Sequence, residues 1–196
     1  PQALIMTPTR ELALQVHDAI TSFGQFSCVR VLAVYGGASY QGQIRDLKRG
    51  VDVIVGTPGR LIDLMNRNIL DLSQVRTVVL DEADEMLSMG FIEDIETILA
   101  ETPAERQTAL FSATISNQIR RLADKYMRDP KPVTIEAGQV TVESIEQRYY
   151  VVNAKEKTAV LTRLFEVEEI HSALIFVRTR AGTGELAGEL SARGFP

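Results

Sequence analysis

Short apolar runs alternate along the chain with longer stretches in which apolar residues recur every three or four positions. The short runs predict buried β-strands, and the longer stretches predict amphipathic helices. Six runs predict strands at residues 3–6, 31–34, 53–55, 78–80, 108–111 and 133–135. Because a helical pattern follows each of the first five, the order favours a mostly parallel α/β sheet with right-handed crossovers.

The alternating pattern is interrupted near residue 138. Residues 138–144 are mostly polar and have no apolar periodicity, so we predict a linker there, between a first domain at 1–137 and a second at 145–196. The second part predicts strands at 148–152 and 174–177, each followed by a helix. It therefore looks like the start of another α/β unit, although two strands are too few for a parallel sheet covered on both faces.

Composition and charge narrow the classes of protein. With 45% hydrophobic and 24% charged residues, the chain can build a sizeable core, which argues against disorder. The net charge of −5 excludes nucleic-acid binding by bulk positive charge, so any such binding must use local donors. The single cysteine, Cys28, fits a reducing compartment, and no stretch is long enough to span a bilayer. We therefore expect a cytoplasmic protein with no membrane partner.

An acidic cluster directly follows the fourth predicted strand. Open α/β sheets bind ligands at the carboxyl ends of their strands, so Asp81 and Glu82 emerge where a ligand would lie. An Asp there is suited to hold Mg²⁺ in a nucleoside-triphosphate hydrolase, and an adjacent Glu can deprotonate an attacking water. An acidic helix N-terminus, which the helix dipole favours, explains the same residues without any chemistry.

Two strand-to-helix turns share a design that suits phosphate. One contains Thr9 and Arg10 after Pro8, and the other is the run 57–60, Thr-Pro-Gly-Arg. Free N–H groups at a helix N-terminus form an anion site, and a nearby Arg adds forked donors. The Gly36-Gly37 pair lies at the same predicted edge and lets a backbone approach closely. Ordinary helix capping is the alternative for each turn taken alone.

Ser112 and Thr114 end the strand expected beside the acidic cluster. Their short hydroxyls can hydrogen-bond Asp84 or Glu82 across neighbouring strand ends. They can equally serve only as a cap for the following helix. The pair alone therefore leaves both interpretations open.

Taken together, six motifs resemble the ordered motifs of the DEAD-box ATP-dependent RNA helicases. They are Pro-Thr-Arg-Glu-Leu-Ala at 8–13, Gly-Gly at 36–37, Thr-Pro-Gly-Arg at 57–60, Asp-Glu-Ala-Asp at 81–84, Ser-Ala-Thr at 112–114 and Leu-Ile-Phe-Val-Arg-Thr at 174–179. Order and spacing match over almost the whole chain, and the segment after 174 is most similar to bacterial cold-shock and ribosome-assembly members. The resemblance implies a RecA-like sheet flanked by helices, followed by the beginning of a second RecA-like domain.

The resemblance also implies roles for the matching residues. Asp81 would hold Mg²⁺ through water, Glu82 would activate the hydrolytic water, and Asp84 would bond Ser112 and Thr114 to couple ATP hydrolysis to strand separation. Contacts to the phosphates of one RNA strand would come from Thr9, Arg10, Gly37, Thr57, Gly59, Arg60 and, in the second domain, Thr179. Such backbone contacts position a strand with little sequence specificity.

One departure from the family pattern affects the expected activity. The chain contains no Gly-Lys dipeptide, whereas the family has a Gly-Lys-Thr loop that cradles phosphate. We therefore expect the first domain to lack its N-terminal phosphate-loop strand, and the 196 residues alone to be inactive as an ATPase. The leading hypothesis is a core segment of an RNA-dependent ATPase that unwinds short RNA duplexes. A non-catalytic RNA backbone-clamping module and a DNA-directed helicase with the same core are the alternatives.

Overall fold

The computed structural model describes residues 1–135 and 146–195, and the linker predicted at 138–144 lies outside them. The chain forms two compact units, Pro1–Val133 and Thr134–Pro196. The domain boundaries predicted at 137 and 145 also fall outside the described residues, so they stay predictions.

Unit 1 is built on five parallel strands that alternate with helices. The strands are β1 (Ala3–Met6), β2 (Val31–Val34), β3 (Val53–Gly56), β4 (Thr77–Leu80) and β5 (Gln107–Leu110). The helices are α1 (Arg10–Phe23), α2 (Tyr40–Lys48), α3 (Pro58–Asn66), α4 (Ala83–Ser88), α5 (Ile92–Ala100) and α6 (Asn117–Tyr126). The spatial order of strands is β2-β3-β1-β4-β5. The predicted parallel sheet flanked by helices is therefore confirmed.

The register aligns the carboxyl ends of the strands. Met6 of β1 pairs with Gly56 of β3 and with Leu80 of β4, and Leu80 pairs in turn with Leu110 of β5. Each strand is only four residues long, and the next residue already belongs to a loop. All the loops that follow the strands consequently start at one level, which we call the carboxyl edge.

The two faces of the sheet are covered unequally. Leu4, Met6 and Ile54 point to one face and are fully buried under α2 to α6, as the two-residue period of a strand requires. On the other face, Ile5 and Val55 pack mainly against α1. Val79 on that face is only partly buried, so β4 is completely covered on one face only.

The strand predicted at residues 133–135 is wrong. These residues are described and have no regular structure, and both Val133 and Ile135 are 87% exposed. Within the described ranges, β5 pairs only with β4 and offers no second neighbour to this segment. An apolar run forms a strand only where another strand satisfies its backbone N–H and C=O groups.

Unit 2 contains helices but no strand among its described residues. A 3₁₀-helix (Ala154–Glu156) leads into α7 (Lys157–Val167), and α8 (Arg180–Ala192) follows. The ring of Phe195, three residues after α8, lies against that of Phe165 in α7, with 5.3 Å between the ring centroids. The strands predicted at 148–152 and 174–177 are therefore wrong, and Phe176 is 88% exposed. Two isolated parallel strands cannot bury both of their faces, which is the physical reason.

Candidate functional site

The carboxyl edge is fixed by backbone hydrogen bonds that continue one residue beyond the strands. The N–H of Asp81 donates to the carbonyl of Met6 at 2.9 Å, and the N–H of Thr57 donates to the carbonyl of Val34 at 3.0 Å. The N–H of Phe111 likewise donates to Leu80 at 2.8 Å. Because the sheet positions these loops directly, the residues predicted from the first five motifs share one edge, at the place where open α/β sheets bind ligands.

The acidic segment, residues 81–84, begins with a strained turn. Glu82 has φ 50° and ψ 50°, a left-handed conformation that is uncommon for a residue with a side chain. It occupies the N-cap position of α4, yet its carboxylate makes no capping hydrogen bond. Glu82 therefore has an exposed carboxylate that does not cap its own helix, on a strained backbone of the kind that is concentrated at functional positions.

Asp81 lies beside Glu82 with its carboxylate partly free. One oxygen, Oδ1, accepts a hydrogen bond of 3.1 Å from the N–H of Glu82. Within residues 1–135 and 146–195, no three His, Cys, Asp or Glu side chains form a metal-binding group. A site made of protein ligands alone is therefore absent there, whereas Mg²⁺ commonly uses one or two carboxylates together with water and substrate phosphates. Asp81 fits that second kind of site.

Asp84 links the acidic segment to the loop after β5. Its Oδ2 accepts hydrogen bonds from the hydroxyl of Thr114 at 2.8 Å and from the N–H of Thr114 at 2.9 Å. These bonds, led by the hydroxyl, hold the pKa of Asp84 below its ordinary value. Ser112 contributes by donating its hydroxyl to the carbonyl of Thr114 at 2.7 Å, which folds the loop toward Asp84. The predicted contact of Asp84 with Thr114 is therefore present, whereas the hydroxyl of Ser112 is donated to Thr114 and not to Asp84.

At the start of α1, Thr9 caps the helix and Arg10 contacts an aromatic ring. Thr9 is the N-cap, and its hydroxyl accepts a 3.2 Å hydrogen bond from the N–H of Leu12. The guanidinium of Arg10 lies over the ring of Tyr35, with 4.9 Å between its central carbon and the ring centroid. Gly37 has φ 78°, and a Cβ built on it would lie 3.9 Å from a nitrogen of Arg10. Gly37 therefore permits a tight left-handed turn beside this arginine.

The start of α3 follows a similar plan. Thr57 is the N-cap, but its hydroxyl makes no capping bond, and a Cβ on Gly59 would meet no atom within 4 Å. Arg60 donates from Nη1 to Oε1 of Gln43 at 3.0 Å and lies 4.9 Å from the ring centroid of Tyr40. This leaves open space and free donors at the helix start, as an anion site requires.

The electrostatic environment of these two arginines contains only neutral contacts. Among the described residues, Arg10 and Arg60 form no ion pair with a carboxylate, and their contacts are neutral rings and an amide. Arg67 touches the same Tyr40 ring at 4.8 Å but is paired with Asp63 at 2.9 Å, which lowers the pKa of that carboxyl. The positive charge of Arg10 and Arg60 is therefore available to an anionic ligand.

Thr179 belongs to unit 2. It is the N-cap of α8, and its hydroxyl accepts a hydrogen bond of 3.1 Å from the N–H of Gly182. It repeats the local arrangement of Thr9 at α1. The prediction that it joins the phosphate contacts of the first domain stays a prediction.

Sequence reasoning missed three residues that support the arginines: Tyr35, Tyr40 and Gln43. The available signal was in α2, where positions 40, 43, 44 and 47 share one helical face, so Gln43 interrupts an apolar stripe. It is only 6% exposed. A glutamine buried in that manner needs hydrogen-bond partners, which the periodicity alone cannot identify.

Known proteins are similar to this chain in sequence. A family model described as "DEAD/DEAH box helicase" matches residues 1–122. The chain is 52% identical over 194 residues to the "DEAD-box ATP-dependent RNA helicase CshA" of Geobacillus kaustophilus, and 52% identical over 196 residues to the "ATP-dependent RNA helicase DeaD" of Mycobacterium tuberculosis. These matches cover 99% and 100% of the chain but only 42% and 34% of the two relatives.

A solved structure is also similar. It is a "DEAD box protein" from the hyperthermophile Methanococcus jannaschii, with a TM-score of 0.66 and 42% identity, and the match covers 98% of this chain and 52% of that one. The chain therefore spans about half of the length of that protein and less than half of the length of each of the two curated relatives. Separately, no helix in the described ranges is both long and apolar enough to cross a membrane.

Proposed function

The chain belongs to the DEAD/DEAH box helicase family, and we propose that the full-length protein is an RNA helicase that couples RNA-stimulated ATP hydrolysis to local unwinding of RNA duplexes. The names of the relatives, ATP-dependent RNA helicases from bacteria, support this proposal. The observation that carries it is the presence, on one sheet edge, of two arginines whose contacts are neutral groups and of an acidic segment with the exposed Glu82. A cytoplasmic location stays a prediction.

In the proposed reaction, Glu82 is the proton acceptor. Its carboxylate is exposed and makes no capping hydrogen bond, so it can take the proton of a water that attacks the γ-phosphorus. The new bond joins the water oxygen to phosphorus, the bond to the β–γ bridging oxygen breaks, and ADP leaves with that electron pair. Asp81 would hold Mg²⁺ through water, and the bound ion would supply neutralisation of phosphate charge.

The proposed RNA contacts lie along the carboxyl edge. Arg10 and Arg60 would each meet a backbone phosphate, and the N–H groups at the starts of α1 and α3 would add neutral donors near Thr9, Thr57 and Gly59. Gly37 would let the backbone approach, and Thr179 would contribute from unit 2. None of these groups reads base edges, so little sequence preference is expected.

Asp84 would connect the two activities. It belongs to the acidic segment, while its partner Thr114 belongs to the loop after β5. A movement of either segment is therefore transmitted to the other through two hydrogen bonds. We propose that this link couples hydrolysis to strand separation.

The test measures ATP hydrolysis by the full-length protein with and without a short RNA duplex, and follows separation of a fluorescent strand in the same reactions. We expect RNA to stimulate hydrolysis and ATP to be required for separation. A DNA duplex of the same sequence is the control, and 2′-hydroxyl contacts would make it the poorer substrate. RNA binding without any ATP hydrolysis would instead support a clamp, and equal activity on DNA would contradict an RNA-specific enzyme.

A further inference from the structure

We infer that Gln43 is a positioning residue that holds Arg60 at the carboxyl edge without neutralising its charge. The inference rests on the proposed function, because it assigns the role of a residue that supports a proposed phosphate contact. Gln43 lies in α2, whereas Arg60 lies in the first turn of α3, so the contact depends on the packing of two helices.

The amide of Gln43 is held in one orientation by two partners. Its Nε2 donates to the backbone carbonyl of Tyr35 at 3.1 Å, and its Oε1 accepts from Nη1 of Arg60 at 3.0 Å. A carbonyl can only accept a hydrogen bond, so the Tyr35 contact requires the amide nitrogen on its side. The amide oxygen is thereby directed at the guanidinium.

Burial makes this arrangement rigid. Gln43 is 6% exposed, so water does not compete effectively for either end of the amide. The ring of Tyr40 supports Arg60 from another direction, with 4.9 Å to its centroid. A flexible arginine side chain loses conformational entropy when it binds, and a guanidinium already held in place loses less on meeting a phosphate.

The neutrality of the amide matters as much as its position. The surface arginines Arg30 and Arg67 are held by Asp52 and Asp63, at 3.2 Å and 2.9 Å. A carboxylate in the place of Gln43 would hold Arg60 equally well but would compensate its charge. An amide orients the guanidinium and leaves its positive charge for an anion.

The first experiment is a double-mutant cycle of Gln43→Met and Arg60→Ala in the full-length protein. Methionine keeps a similar length and removes both hydrogen bonds. Binding of a short fluorescent oligouridylate is measured with a non-hydrolysable ATP analogue present. We expect Gln43→Met to weaken binding about threefold to tenfold, the range of one lost hydrogen bond, and to have no further effect in the Arg60→Ala background. An equal loss in both backgrounds would overturn the inference.

A matched control lies on the same helix. Gln41 is exposed, and Gln41→Met makes the same substitution two positions away. It should leave both RNA affinity and the thermal unfolding midpoint unchanged. If Gln41→Met weakens RNA binding as much as Gln43→Met, the effect belongs to α2 in general and the specific role of Gln43 is wrong.

The second variant separates position from charge. Gln43→Glu keeps an oxygen for Arg60 but adds a negative charge, so we expect weaker RNA binding and a shallower dependence of affinity on salt, by about 0.7 in slope for one lost single-strand phosphate contact. Wild-type affinity and salt slope in Gln43→Glu would contradict the need for a neutral amide.

A readout without RNA separates this inference from the proposed function. Rotation of the guanidinium group of Arg60, measured by ¹⁵N nuclear magnetic resonance, should be slow in the wild type and in Gln41→Met, and fast in Gln43→Met. If the protein binds no RNA but these rates hold, the proposed function fails and the positioning role stands. If Arg60 rotates equally fast in all three proteins, the positioning role fails whatever the protein binds.

Discussion

At the amino edge of the sheet, where the strands begin, Arg30 lies against Asp52. At the carboxyl edge, Arg10 and Arg60 lie against aromatic rings and an amide. Both edges contain arginines and carboxylates. At the amino edge Arg30 and Asp52 form an ion pair, with Nε and Oδ2 3.2 Å apart. At the carboxyl edge, the arginines contact neutral groups, and the carboxylate of Glu82 makes no capping hydrogen bond.

The two edges differ in whether an arginine is paired with a carboxylate or contacts neutral groups. A paired arginine and carboxylate satisfy each other and contribute mainly to the local structure of the loop. Arginines held by neutral groups keep their attraction for anions, and an exposed carboxylate that does not cap its helix is open to a water molecule. The chain carries a net charge of −5, so the proposed RNA binding would have to depend on such local arginines.

The largest expected effect is the loss of ATP turnover when Glu82 at the carboxyl edge is replaced. Glu82→Gln preserves the shape of the side chain and removes the proton acceptor, so RNA-stimulated ATP turnover should fall about 10²–10⁴-fold, the usual contribution of a general base. Steady-state hydrolysis at saturating RNA and ATP measures this in the full-length protein. Asp52→Asn removes a carboxylate from the amino edge and should leave turnover unchanged. Near-wild-type turnover in Glu82→Gln would remove Glu82 from the mechanism.

The second prediction compares arginines from the two edges. Arg10→Ala and Arg60→Ala should each weaken binding of single-stranded RNA roughly tenfold to a hundredfold, because a charge-assisted hydrogen bond contributes about 1.5–3 kcal/mol. Each should also reduce the salt slope of log affinity by about 0.7.

Arg30→Ala is the matched control for this pair, because Arg30 is equally a surface arginine but is paired with Asp52. It should change neither the affinity nor the slope. Titrations over a range of salt with several RNA sequences test the prediction. A change of sequence preference at constant slope in Arg10→Ala or Arg60→Ala would contradict backbone binding.

The strands of unit 1 were predictable because their apolar runs coincide with the places where neighbours exist. Residues 3–6 and 78–80 match β1 and β4 closely. The runs at 133–135, 148–152 and 174–177 have equally apolar patterns, yet none forms a strand. A sequence window reports that a strand is favourable, but pairing depends on residues far away in the chain.

In the candidate site too, some contacts were predictable from local sequence and others depend on residues far away in the chain. The contact of Asp84 with Thr114 was predictable, since both residues follow strands expected at one edge. The support of Arg60 by Gln43 was not, because residues 17 positions apart on different helices meet only through packing. The left-handed conformation of Glu82 was also unpredictable, because glutamate has no local preference for it.

The third prediction concerns pH and stability. Hydrogen bonds from Thr114 lower the pKa of Asp84 in the folded state, and hydrogen bonds from Arg30 lower that of Asp52. A lowered folded pKa stabilises the protein above the unfolded value, near 4, and that stabilisation is lost as the pH falls through the folded pKa. The acid side of the stability curve should therefore be shallower in Asp84→Asn and in Asp52→Asn than in the wild type.

Salt distinguishes the two carboxylates. The partner of Asp84 is neutral, whereas that of Asp52 is charged. High salt should therefore weaken the contribution of Asp52 and leave that of Asp84 nearly unchanged. Urea unfolding at low and high salt, at several pH values on either side of the unfolded pKa, measures the stability contributions of Asp84 and Asp52. Thr114→Val removes the side-chain bond and should cost about 1 kcal/mol. An equal salt response of the two Asp variants would contradict the distinction between the edges.

The smallest expected effect on RNA binding concerns two glycines that lie beside arginines at opposite edges. Gly37 has φ 78° near Arg10, and Gly50 has φ 86° near Arg30, where an added Cβ would lie 3.1 Å from Nη1. Alanine in the left-handed region costs about 1–2 kcal/mol, so both Gly37→Ala and Gly50→Ala should lower the free energy of unfolding by roughly that amount.

Only Gly37→Ala should also weaken RNA binding, because only its loop lies at the edge proposed to meet phosphate, and the loss should be severalfold or less. Gly36→Ala is the control within the same loop: no atom lies within 4 Å of its added Cβ, and its φ is not positive. It should therefore change neither property. Urea unfolding and RNA titration of the three variants measure both effects. If Gly50→Ala weakens RNA binding as much as Gly37→Ala, general destabilisation explains the loss, and the functional distinction between the two edges fails.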